Sequence, residues 1–124
     1  MKRFPYQTEN ATQFPVLTLT IESPNRHPST KIILRVDTGA DMTVIPSDVL
    51  KELNAVEVAD VMVADFDTGT STHKTFSINV RLGKLRFEEV EVISSDGGAA
   101  LLGLDILNLL DIHLNGPKKV LTVV

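Results

Sequence analysis

The 124-residue chain has no cysteine. That absence excludes disulfides, thiolate zinc sites and thiol nucleophiles together. Charge of one sign is also lacking: 12 basic against 16 acidic side chains leave a formal charge of −4. Such a balance gives no electrostatic case for binding nucleic acid or an anionic membrane. No apolar run approaches the roughly 18 residues that a membrane helix needs, and Met1 to Asn10 lacks the apolar centre of a signal peptide. A cytoplasmic location is the expectation. His27, His73 and His113 stand far apart with no ligand spacing, so no metal and no other cofactor is expected. No Ser, His and Asp set has the neighbours of a serine hydrolase. The length suits one domain with a modest core.

What the chain does have is β-type patterning. Val16 to Ile21 alternates and is β-branched, a first strand. Ser23 to Ser29 reads as a turn, and Ile32 to Val36 as a largely buried strand. Ser47 to Leu53 has a capping serine, an early acid and helical spacing, enough for one or two turns. Val56 to Ala64 and Thr75 to Leu82 read as a long hairpin joined by the turn formers Asp65 to Thr72. A strand over Leu85 to Ile93, a helix over Leu104 to Leu110, a turn at Leu114 to Pro117 and a strand over Val120 to Val124 complete the chain. Residues 1–15, with two prolines and little periodicity, read as an extended arm, leaving 16–124 as the domain.

The chemistry concentrates at Asp37-Thr38-Gly39-Ala40-Asp41. Apolar extended segments enter and leave this turn, so Asp37 is a carboxylate fixed between two core strands. An anion placed there needs backbone amides or a proton. Asp-Thr-Gly recurs at Asp67 to Gly69, but only 30 residues later and between polar flanks. Asp67 therefore reads as a solvated residue at the hairpin tip, not as a second catalytic acid.

Ile32-Ile33-Leu34-Arg35-Val36-Asp37-Thr38-Gly39-Ala40-Asp41-Met42-Thr43-Val44-Ile45-Pro46 resembles the active-site loop of retropepsin-type aspartic proteases, which reads apolar-apolar-Asp-Thr-Gly-Ala-Asp-x-Thr-apolar-apolar. Leu101-Leu102-Gly103, about 65 residues on and opening a helix, resembles the segment that crosses behind that loop. The resemblance implies an all-β fold, a small closed β-barrel with a flap hairpin and one short C-terminal helix. It implies an aspartic endopeptidase, active on peptide or unfolded protein as a homodimer, because one chain supplies one suitable Asp. A catalytically silent dimerisation or peptide-binding module is the alternative. Carried over, Asp37 is catalytic; Thr38, Gly39 and Ala40 form the loop; Gly39, Ala40 and Asp41 bind substrate. The flap residues Asp67, Thr68, Gly69 and Thr70 would also bind it, His73 lies on the same hairpin, and Leu101, Leu102 and Gly103 support the loop. Viral members often carry Arg after the helix-opening Gly, where this chain has Leu104 and Asp105. Leu-Gly-Leu-Asp is nearer the cellular and bacterial relatives, with Val120 to Val124 expected as the interface strand.

Overall fold

Alternation along the strands decides which faces are buried. In the computed structural model, which describes residues 1–25, 27–65 and 69–124, twelve strands and two short helices follow one another. They are β1 (Lys2–Pro5), β2 (Gln7–Glu9), β3 (Thr12–Phe14), β4 (Val16–Glu22), β5 (Ser29–Val36), β6 (Val44–Pro46), α1 (Ser47–Glu52) and β7 (Val56–Asp65). After these come β8 (Gly69–Leu82), β9 (Leu85–Ser95), β10 (Leu101–Leu102), α2 (Leu104–Leu107), β11 (Ile112–Asn115) and β12 (Val120–Val123). Among the described residues no helix is long and apolar enough to cross a membrane.

The main sheet runs β4-β5-β10-β6-β9-β8-β7, and a further ladder joins β4 to β8. Six of its strands therefore pair in a ring, from which the β7 side of the β7–β8 hairpin projects. Leu17, Leu19 and Ile21 of β4, Leu34 of β5, Ile78 and Val80 of β8, Val92 of β9 and Leu102 of β10 fill its interior. Each such side chain contributes roughly 1.5–3 kcal/mol by leaving water. β5 is less buried than its composition predicts. Leu34 is fully buried, but Ile33 and Arg35 point outward and are exposed, because only one face of this strand meets the core.

The first 15 residues differ from the expected unpacked arm. β1 pairs antiparallel with β12, from Lys2 opposite Val123 to Pro5 opposite Val120. β2 and β3 form a hairpin whose Phe14 is buried. β12 also pairs with β11 on its other edge, so Val120 to Val123 has no edge left for a strand of another copy. Among the described residues, the outer strands of that small sheet are β1 and β11. The helices are shorter than their patterns. α2 stops at Leu107, where Leu109 and Leu110 turn to i→i−3 bonds on Ile106 and Leu107. Ser47 does not cap α1: it lies inside the helix, Pro46 precedes it, and its hydroxyl faces Asp96 at 3.4 Å.

Candidate active site

β5 and β10 run parallel, and their ladder carries Asp37 into place. The amide of Arg35 donates to the Ala100 carbonyl at 3.0 Å, and that of Asp37 to the Leu102 carbonyl at 3.0 Å. Two amides, two residues apart, pointing to one neighbour put the side chains of Arg35 and Asp37 on the same face. Between them, Val36 donates to the Pro15 carbonyl on the opposite side, at 3.1 Å. The chain then reverses, with the Ala40 amide donating to the Asp37 carbonyl at 3.2 Å. Within this turn the Gly39 amide donates to Asp37 Oδ1 at 2.9 Å. A Cβ at Gly39 would sit 3.2 Å from that same oxygen, so a glycine lets the amide approach the carboxylate. Asp37 is half-buried, while Thr38 and Gly39 are exposed. The loop thus presents an acid held by a backbone donor and open on one side.

Behind it, Gly103 allows the second segment to come within contact of the loop. A Cβ there would lie 2.6 Å from the Met42 carbonyl carbon and 2.8 Å from the Ala40 oxygen. With that gap closed, the Leu104 amide donates to Ala40 O at 2.8 Å and the Asp105 amide to Asp41 O at 3.2 Å. Thr43 is buried between the two segments. Its hydroxyl donates to Asp105 Oδ1 at 2.7 Å and accepts from the Gly103 amide at 3.1 Å. The Thr43 amide donates to Asp105 Oδ2 at 3.0 Å, and the Ile106 amide to Oδ1 at 2.8 Å. Thr43 and Asp105 are the positioning residues that sequence reasoning passed over. The signal was present in the Thr of the loop pattern and the Asp of Leu-Gly-Leu-Asp, but the bond between them spans 62 residues.

A groove of about 350 Å³ runs between the loop and the hairpin. Gly39, Ala40 and Asp41 form its floor with Val44 and Ile93, and Val61 to Ala64 of β7 form its roof. The walls are mainly apolar with open main chain at the floor, a shape suited to an extended peptide. Gly69 and Thr70 lie one strand further out, opposite Asp65 and Ala64, and do not line it. Asp67 and Thr68 lie outside the described residues. His73 bonds Ser94 O through Nδ1 at 3.2 Å and Ser71 Oγ through Nε2 at 2.8 Å. A carbonyl can only accept, so that bond places the ring proton on Nδ1. The ring lines a separate hollow with Ser47, Lys51 and Asp96. Among the described residues no cluster of His, Asp and Glu is arranged to hold a metal ion.

The family model described as "gag-polyprotein putative aspartyl protease" matches residues 25–109, more than half of the chain. The fold is similar to that of EIAV protease complexed with the inhibitor HBY-793, at 19% identity and a TM-score of 0.61, covering 82% of this chain and 92% of that one. It is also similar to a retropepsin-like aspartic protease from Rickettsia conorii, at 16% identity and a TM-score of 0.60, covering 98% and 89% of the two chains. No curated protein matches the chain in sequence.

Proposed function

The chain belongs to the gag-polyprotein aspartyl protease family, and from that premise we propose that it is an aspartic endopeptidase working as a homodimer. The observation that carries this reading is Asp37, half-buried and held on its glycine turn by the Gly39 amide at 2.9 Å, next to the loop residues Gly39, Ala40 and Asp41 that line the groove. Peptide hydrolysis by this chemistry needs two carboxyls close enough to share one proton, since adjacent like charges do not both ionise. A two-fold axis beside the loop duplicates Asp37 and supplies the second. The ionised carboxylate takes a proton from water as the water oxygen attacks the scissile carbonyl carbon. The protonated partner gives its proton to the substrate, and the pair titrates as one system.

In the same reading Thr38 bonds across the axis to its twin, Gly39 offers its carbonyl to the substrate backbone, Ala40 stays small to let the substrate pass, and Asp41 holds the substrate main chain. The peptide lies as an added strand between the loop and Val61 to Ala64 of β7, the part of the hairpin that lines the groove. Leu101, Leu102 and Gly103 are the support. The test compares wild type with Asp37→Asn on a denatured-protein mixture from acidic to neutral pH, read by mass spectrometry, with sedimentation for the dimer. Cleavage by wild type that disappears in Asp37→Asn is expected. Equal cleavage by both removes Asp37 from the mechanism. A wild-type dimer that cleaves nothing returns the chain to a silent binding module.

A further inference from the structure

The outward face of β5 carries Ile33 and Arg35, and Asp37, just past the end of the strand, continues their row. Asp37 is the acid of the proposed reaction, whereas Arg35 and Ile33 have no part in it. Both are exposed, Ile33 to 48%. The Arg35 guanidinium lies over the ring of Phe14, 4.2 Å from its centroid, and among the described residues it has no carboxylate partner. Stacking fixes the plane of the guanidinium while leaving its edge donors open, the arrangement that receives a carboxylate in a fork. Arg35 and Ile33 line a cleft of about 400 Å³ with Ala99, Ala100 and Glu9. Glu9 is an acid on the rim of that cleft, yet it makes no ion pair with Arg35.

Arg35 and Asp37 are separated by two residues of extended chain, about 7 Å. That distance is within the reach of a substrate side chain close to a scissile bond held at Asp37, and the Arg35 cleft shares no lining residue with the groove under β7. Resting on the endopeptidase reading, we propose that Arg35 is a specificity-determining residue that selects substrates carrying Asp or Glu within two positions of the cut. The overall charge of −4 repels acidic peptides at long range, so the attraction is local to this cleft, and the two-fold repeats it on both sides of the bond.

The test profiles cut sites of the full-length dimer in a peptide mixture for wild type, Arg35→Ala, Arg35→Lys and Arg35→Glu. Wild-type sites should be enriched in Asp or Glu within two positions. On one matched pair of peptides, Glu against Gln at the preferred position, Arg35→Ala should lose about tenfold of the kcat/KM preference. Arg35→Lys should keep part of it, and Arg35→Glu should turn the preference to Lys or Arg. Added salt should weaken the wild-type preference. Wild-type cleavage without acidic enrichment, or identical profiles in all four proteins, overturns the role of Arg35 alone. So does a fall of the Arg35 variants to monomer in sedimentation, which makes the residue a subunit contact. Absence of any wild-type cleavage removes the endopeptidase reading first, and this one with it.

Discussion

The floor and the roof of the groove are built by opposite means. The floor, residues 37–43 against 102–106, is crossed by hydrogen bonds between segments some 60 residues apart, with Thr43, Leu102, Gly103 and Ile106 buried. The roof, Val61 to Ala64 of β7 against the outer end of β8, is a two-stranded extension in which none of these residues is fully buried and Met62 is exposed to 72%. A floor defined many times over holds an acid in one place; a roof held by one ladder opens at low free-energy cost. The difference separates the part that must be positioned from the part that must admit a peptide.

If this contrast is right, the largest effect should come from Gly103→Ala. The added methyl meets backbone at 2.6 to 2.8 Å, and backbone cannot step aside as the end of a side chain can. Either Ala40 to Met42 move or α2 withdraws, and the bonds from Leu104 and Asp105 to the loop lengthen. A loss of about 3 kcal/mol is expected in urea denaturation, together with loss of cleavage. A fully stable, active Gly103→Ala protein would show that the floor yields, and the contrast with the roof would collapse.

Thr43→Val should come next. It keeps the shape but removes a hydroxyl that serves two partners, leaving the buried Gly103 amide without an acceptor and Asp105 short of a donor. An unpaired buried group costs about 1–3 kcal/mol. Thr43→Ser, which keeps the hydroxyl, should recover most of this. The comparison of the two in denaturation and in cleavage rate separates the hydrogen bond from the packing. If serine is as damaging as valine, the methyl rather than the hydroxyl holds the floor.

The same contrast explains what was legible. The floor was readable because its parts are local words: an apolar strand, an Asp-Thr-Gly turn, an apolar pair before Gly103. The bond between Thr43 and Asp105 was not, since nothing in either segment names the other. Long-range pairing also hid β1, whose partner lies at the far end of the chain, Lys2 opposite Val123. The turn expected over Leu114 to Pro117 starts later, since Leu114 and Asn115 end the strand β11, because β12 returns beside it. Thr70 and Thr72 read as turn residues beside Gly69. The ladder with β7 instead draws β8 down to Gly69, as β-branched residues fit a pleat when a partner is present.

The smallest effect should come from the roof's own ion pair. Lys74 Nζ of β8 lies 2.8 Å from Glu57 Oε1 of β7, with both side chains more than half exposed. The Glu57 carboxylate, through its hydrogen bond and then its charge, holds the Lys74 ammonium above its ordinary pKa. A raised pKa in the folded state means the contribution is fully present below the ordinary lysine value and is lost as pH rises through the raised one. Titration of the Lys74 ammonium therefore does not change it at neutral pH. Solvent screens such a pair, and holding two long side chains together offsets what attraction is left. Glu57→Gln should leave the thermal midpoint within the error of the measurement at physiological salt. A clear drop in that midpoint, shared by Lys74→Met and removed by salt, would mean that the roof is braced across its two strands. The groove would then be gated by charge at the base of the hairpin, not merely by how little of it is buried.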